Sequence, residues 1–133
     1  MKKVFILLIV AASIVLYDLM ASLVSRGLQI EYSDFGFGSL VLYFLAGFVV
    51  SRKYGFLMGV LAGLVAGIAD STLGLYISEL VGPYTSAMLD LTSFSAEDFV
   101  YIITFVTIQS TIFGSFGALV AYLLWGKEFG KKV

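Results

Sequence analysis

Apolar residues fall into four runs separated by short polar breaks. The first, Val4 to Val24, follows Lys2 and Lys3 and is interrupted only by Ser13, Tyr17, Asp18 and Ser22. It resembles a secretory signal peptide in outline. Cleavage at Ala11-Ala12 would leave too short an apolar core, however, and no clean A-x-A site precedes Ser25, so the run reads as an uncleaved first span. Ser25 to Phe35 carries Arg26, Gly27, Glu31 and Asp34 and reads as a loop. The second run, Gly36 to Ser51, covers about 24 Å as a helix, short for a hydrocarbon core of about 30 Å. Tyr32, Phe35 and Phe37 are expected to anchor its outer end. The connection Arg52-Lys53-Tyr54 is so short that the second and third spans must be antiparallel neighbours.

The third run, Gly55 to Leu80, stops at Gly82-Pro83. Beyond it, Tyr84, Ala87, Met88, Leu91 and Phe94 recur at helical spacing, which fits a short interfacial helix over 84–94 or an ordered loop. Ser95-Ala96-Glu97-Asp98 has the form of an N-cap with acids in the first turn. The fourth run, Phe99 to Trp125, is expected to end at Gly126, with Lys127, Lys131 and Lys132 after it. The pattern predicts an all-α integral membrane protein, a single domain over 1–133. Its four transmembrane helices, about 4–24, 36–51, 55–80 and 99–125, form a compact bundle.

The third span organises this reading. Positions four apart drift by about 40° around a helix, so Gly55, Gly59, Gly63, Gly67 and Ser71 form one slowly winding strip that Gly74 continues. Ser110, Gly114 and Ala118 make a similar row in the fourth span. Acyl chains are as apolar as leucine, so small residues that let backbones approach are what hold helices together in lipid. The strip therefore marks a contact surface: within one chain, between copies, or along a pore or substrate path.

Composition changes the solvent in the argument. Of 133 residues, 60% are hydrophobic and 13% charged, with a mean hydropathy of +1.03. A chain this short cannot bury so much apolar surface in a water-soluble core, so its partner is the lipid bilayer. The absence of cysteine and histidine removes disulfides, the usual zinc sites and the Ser–His and Cys–His catalytic arrangements. No cofactor or metal is expected. Gly36-Phe37-Gly38 follows no strand and is not a dinucleotide fingerprint. A net charge of −1 argues against a nucleic-acid partner.

Charge gives the threading. Lys2, Lys3, Arg52, Lys53, Lys127, Lys131 and Lys132 fall on one side of a four-span arrangement, and only Arg26 on the other. By the positive-inside rule both termini are cytoplasmic and the chain sits in a cytoplasmic cell membrane. Glu31, Asp34, Glu79, Asp90, Glu97 and Asp98 then lie outside, where Arg26 is expected to meet Glu31 or Asp34.

Two acids, Asp18 and Asp70, lie inside spans, and intramembrane acids are functional-site hypotheses by default. Asp18 is 15 residues from Lys3, Asp70 is 17 from Lys53, and Gln109 is 18 from Lys127. The corresponding rises agree within about 5 Å, which puts all three in one layer of the outward half. Gln109 is the weakest member, because it sits beside Phe105, Phe113 and Phe116 on its wheel. Two carboxylates that meet in a low dielectric do not both ionise cheaply. A shared proton that leaves when a cation binds would be a simple coupling device. Bonding to Ser, Thr and backbone groups of facing helices would instead make the acids interhelical glue. Two functions follow. The first is a small non-enzymatic multi-pass protein acting through helix–helix association, as an accessory or assembly subunit of a homo-oligomer or larger membrane complex. The second is a small proton- or ion-coupled transporter or channel using Asp18 and Asp70.

Overall fold

Long apolar runs with few breakers become long helices. A computed structural model describes residues 2–85 and 94–129. Helix α1 covers Lys2–Leu28 and a 3-10 turn covers Tyr32–Phe35. Then come α2 (Gly36–Tyr54), α3 (Phe56–Ala69), a π-helical turn (Asp70–Gly74), α4 (Leu75–Val81) and α5 (Ala96–Phe129). No strand occurs among the described residues. Four stretches, Lys2–Leu28, Tyr32–Tyr54, Phe56–Val81 and Ala96–Gly126, are long and apolar enough to cross a membrane. The chain is a multi-pass membrane protein by this criterion. The interfacial helix expected over 84–94 falls largely on residues 86–93, outside the described residues.

Helix ends follow from local chemistry. Ser95 Oγ accepts the Asp98 backbone N–H at 3.2 Å, and the Asp98 carboxylate accepts the Ser95 backbone N–H at 2.8 Å. This reciprocal pair satisfies two donors at the start of α5. Helix α4 closes at Gly82, whose φ of +64° suits glycine, with its N–H donating to the Ser78 carbonyl at 3.0 Å. Two expectations need correction. Helix α5 runs through Gly126 to Phe129, because a helix-interior glycine costs only about 1 kcal/mol. Gly55 is not a packing residue: it is the turn between α2 and α3, with φ +93°, and a Cβ there would meet nothing within 4 Å.

Large side chains face outward and small ones inward. Leu16, Leu57, Ile108, Phe116 and Leu123 are exposed, whereas Ala62, Ala66, Ala118 and Ala121 are wholly buried. Water would not tolerate such a surface; lipid does. Helices α2, α3 and α5 pack on one another, and α1 lies along α3, the π turn and α4. Backbone meets backbone at the glycines. A Cβ at Gly63 would lie 2.8 Å from the Ser110 carbonyl oxygen and 2.9 Å from Gly114 Cα. At Gly59 it would lie 2.6 Å from the Gly47 carbonyl oxygen and 2.7 Å from Ala118 Cβ. One at Gly47 would overlap the Gly114 carbonyl, and one at Gly67 would overlap Ser110 Oγ.

The third membrane-crossing stretch is a helix with a break in register. The Leu75 N–H reaches back to the Asp70 carbonyl, five residues earlier. Just before this point Ser71 Oγ donates to the Gly67 carbonyl at 2.7 Å, and Thr72 Oγ1 donates to the Ile68 carbonyl. Such back-bonding loosens a helix ladder, and Gly74 adds backbone freedom. One extra residue in a turn rotates everything beyond it by about 100°, so wheel angles read from the sequence fail after Asp70.

Because the Gly63 contact is against rigid backbone, Gly63→Val is expected to destabilise the protein by at least about 1–3 kcal/mol. Gly27→Ala, where a Cβ would meet nothing within 4 Å, should leave stability unchanged or raise it. Equilibrium unfolding of the purified protein in lipid bicelles measures both. Equal stabilities for the two variants would refute the close approach.

Candidate functional site

Helix α1 buries one face, Val10, Ile14, Asp18, Ala21, Ser22 and Ser25. Asp18 on this face is only 2% exposed. The π turn presents Asp70 toward it. The two carboxyl groups converge on Gly74: a Cβ there would overlap Asp18 Oδ2, and would lie 2.9 Å from Asp18 Cγ and 3.3 Å from Asp70 Oδ1. Glycine at 74 is thus what makes room for the pair. Tyr43, on α2 and 2% exposed, donates its hydroxyl to Asp70 Oδ2. Asp18 Oδ2 is buried and has no hydrogen-bond partner among the described residues.

Two adjoining cavities border the site, the smaller touching both acids and the larger touching Asp70. One of about 160 Å³ is lined by Tyr17, Asp18, Tyr32, Phe35, Ser39 and Asp70. The other, about 260 Å³, is lined by Leu40, Tyr43, Asp70, Val106 and Gln109. Gly36, Ser39 and Asp70 border both. No basic side chain among the described residues lines either one. Among the described residues, no group of three or more carboxylates, histidines or cysteines gathers anywhere. Two ionised carboxylates about 4 Å apart repel by about 4 kcal/mol even at an effective dielectric constant near 20. No arginine or lysine among the described residues lines either cavity to offset that repulsion.

The other polar residues at this depth divide. Ser22 donates to Ser78 Oγ at 3.1 Å, and Tyr32 Oη lies 2.7 Å from the same atom. These close the end of the molecule beyond the carboxyls, together with Ser25, which donates to the Ile30 carbonyl at 2.7 Å. Ser110 and Thr111 turn back to the Thr107 carbonyl of their own helix, at 2.9 and 2.6 Å, and do not reach the pair. Arg26 donates to the Val81 carbonyl at 2.8 Å, capping α4 at a carbonyl its helix leaves free. At the opposite end Arg52 stacks 4.6 Å over the Trp125 ring, joining α2 to α5.

Of the three residues picked from depth, Asp18 and Asp70 are brought together, and Gln109 lines the larger cavity along with Asp70. Tyr43 and the π turn are absent from the sequence reading, which has Gly74 as a member of the packing strip and not as the gap between the acids. Tyr43 lies 10 residues from Lys53 against 17 for Asp70, so a Cα count puts it two turns too low. Helical side chains lean toward their own N-terminus. Because α2 and α3 run in opposite directions, that lean carries the Tyr43 phenol up to the Asp70 layer. A tyrosine inside the apolar stretch Leu40 to Gly47 was the available signal. Compared with protein-family models, curated proteins and solved structures, the chain matches none.

The Tyr43 contact has a spectroscopic consequence. Tyr43→Phe is expected to shift the infrared carboxyl band that Asp70→Asn removes, and to cost about 1–3 kcal/mol of stability. Tyr101→Phe, on an exposed position, should do neither. A carboxyl band unmoved by Tyr43→Phe would show that the phenol does not bond Asp70.

Proposed function

We propose that this chain is a small, non-enzymatic membrane protein that exchanges a proton for a cation at Asp18 and Asp70. The observation that carries the reading is the convergence of two carboxyl groups from different helices on Gly74, beside two adjoining cavities that no basic side chain among the described residues lines. With one proton shared, the pair carries one negative charge. When a monovalent cation enters and the proton leaves to solvent, the site's charge is unchanged. The electrostatic cost of holding it in a low dielectric is therefore nearly the same in both states. Tyr43 supplies a hydrogen bond on the Asp70 side, and Gln109 lines the larger cavity with it.

The basic residues of the chain support an orientation with both termini in the cytoplasm of a cell membrane. The carboxyl pair then lies in the outward half. Helix–helix association as the protein's own activity, in a homo-oligomer or as an accessory subunit, is the second reading. It draws on the backbone-close glycine contacts. These run between α2, α3 and α5 of one chain, which favours a scaffold for the site over a surface kept for a partner.

Adding sodium or potassium chloride to weakly buffered protein in nanodiscs is expected to release up to one proton per chain, read with a pH indicator. Asp18→Asn and Asp70→Asn should each abolish the release. No release from the native chain with either salt, or release untouched by both substitutions, would sink exchange of these ions. For orientation, the chain has no cysteine, so single cysteines report without background. Glu97→Cys should react with an impermeant maleimide on intact cells, and Lys53→Cys only after permeabilisation. The reverse pattern would invert the threading.

A further inference from the structure

We infer that the cation held here is a small organic ammonium, its N–H groups on Asp18 and Asp70 and its apolar body in the larger cavity. The inference rests on the exchange reading above and names its ligand class. Three observations carry it. Asp18 Oδ2, on a side chain 2% exposed that lines the smaller cavity, has no hydrogen-bond donor among the described residues once the proton shared with Asp70 has left. Tyr43 already occupies Asp70 Oδ2, while Asp70 Oδ1 lies on the Gly74 side with Asp18. A primary ammonium carries three donors and no acceptor, which matches acceptors in want of hydrogens.

The walls suit such a group. Tyr17, Tyr32 and Phe35 line the smaller cavity. Both phenol oxygens are engaged elsewhere: Tyr17 donates to the Phe35 carbonyl at 2.6 Å, and Tyr32 pairs with Ser78 at 2.7 Å. What remains is aromatic ring, which attracts an ammonium and tolerates its carbon chain. Hard metal ions favour a shell of about six oxygens. The larger cavity continues from Asp70 past Leu40 and Val106. Gly36, Ser39 and Asp70 border both cavities, so the two adjoin at Asp70, and a Cβ at Gly36 would meet nothing within 4 Å. The titratable groups facing the pair are the phenols of Tyr17, Tyr32 and Tyr43.

The test is proton release from the native chain in nanodiscs, titrated at constant ionic strength with n-butylammonium, methylammonium, sodium or potassium chloride. Butylammonium is expected to release the proton at concentrations at least about tenfold below those of sodium, the size of one good cation–π contact. Tyr17→Leu should weaken butylammonium and spare sodium, whereas Tyr17→Phe, which keeps the ring, should weaken it little. Gly36→Leu should weaken butylammonium more than methylammonium. Sodium or potassium acting as well as butylammonium would overturn the organic-ammonium assignment while leaving proton exchange standing. No release with any of the four cations would remove both. Should Tyr17→Leu fail to fold, the order of cations on the native chain still decides.

Discussion

Helices α2, α3 and α5 approach one another most closely at Gly47, Gly59, Gly63, Gly67 and Gly114, where there is no room for a Cβ. In lipid this contact does the work that hydrophobic burial does in water. Moving a leucine from an acyl chain to a protein neighbour gains little, so association depends on how many atoms can touch. Glycines let helix axes approach until carbonyls and Cα atoms meet, and each added atom pair contributes a small dispersion energy. The inverted distribution of side chains follows: alanines inside, leucines and phenylalanines outside.

Everything polar in the site depends on that spacing. Tyr43 reaches Asp70 because α2 lies close against α3, and Asp18 reaches it because Gly74 leaves space where any side chain would intrude. The π turn sits where these demands meet. It carries Asp70 at its start and Gly74 at its end, so a single local irregularity supplies both an acid and the gap that receives the other acid. π turns inside α-helices recur at functional sites, and here the irregularity aims a charge-bearing group at a neighbouring helix.

Much of this was legible before any coordinates. The order of the apolar helices follows from the apolar runs, the stop at Gly82-Pro83 from breaker chemistry, and the Ser95–Asp98 pair from capping rules. Helix α1, however, runs on to Leu28 into the expected loop, Tyr32–Phe35 forms a 3-10 turn there, and α2 takes in the expected connection to end at Tyr54, because polar residues at a helix end do not break it. A depth count from the basic residues brought Asp18 and Asp70 to one level, because rise per residue is nearly constant in a helix. Rotation about the helix axis is less forgiving. The π turn shifts it by a whole residue, and no residue type at 70–74 announces such a turn unambiguously. Side-chain reach is also invisible to a Cα count, which is why Tyr43 escaped notice. Gly55 looked like the first member of the packing strip because periodicity cannot separate a glycine needed for its φ from one needed for its size.

By itself, then, the sequence determined the solvent, the number of apolar helices and the level at which their acids lie. Those properties are sums along the chain, of hydropathy and of rise, and they survive local irregularity. Tertiary structure alone decided that Asp18 and Asp70 converge on Gly74, that Tyr43 joins them, and that two adjoining cavities border the site. Such contacts join residues from different helices and depend on distances of a few tenths of an ångström. Helix rotation and backbone approach set those distances, and both are consequences of packing.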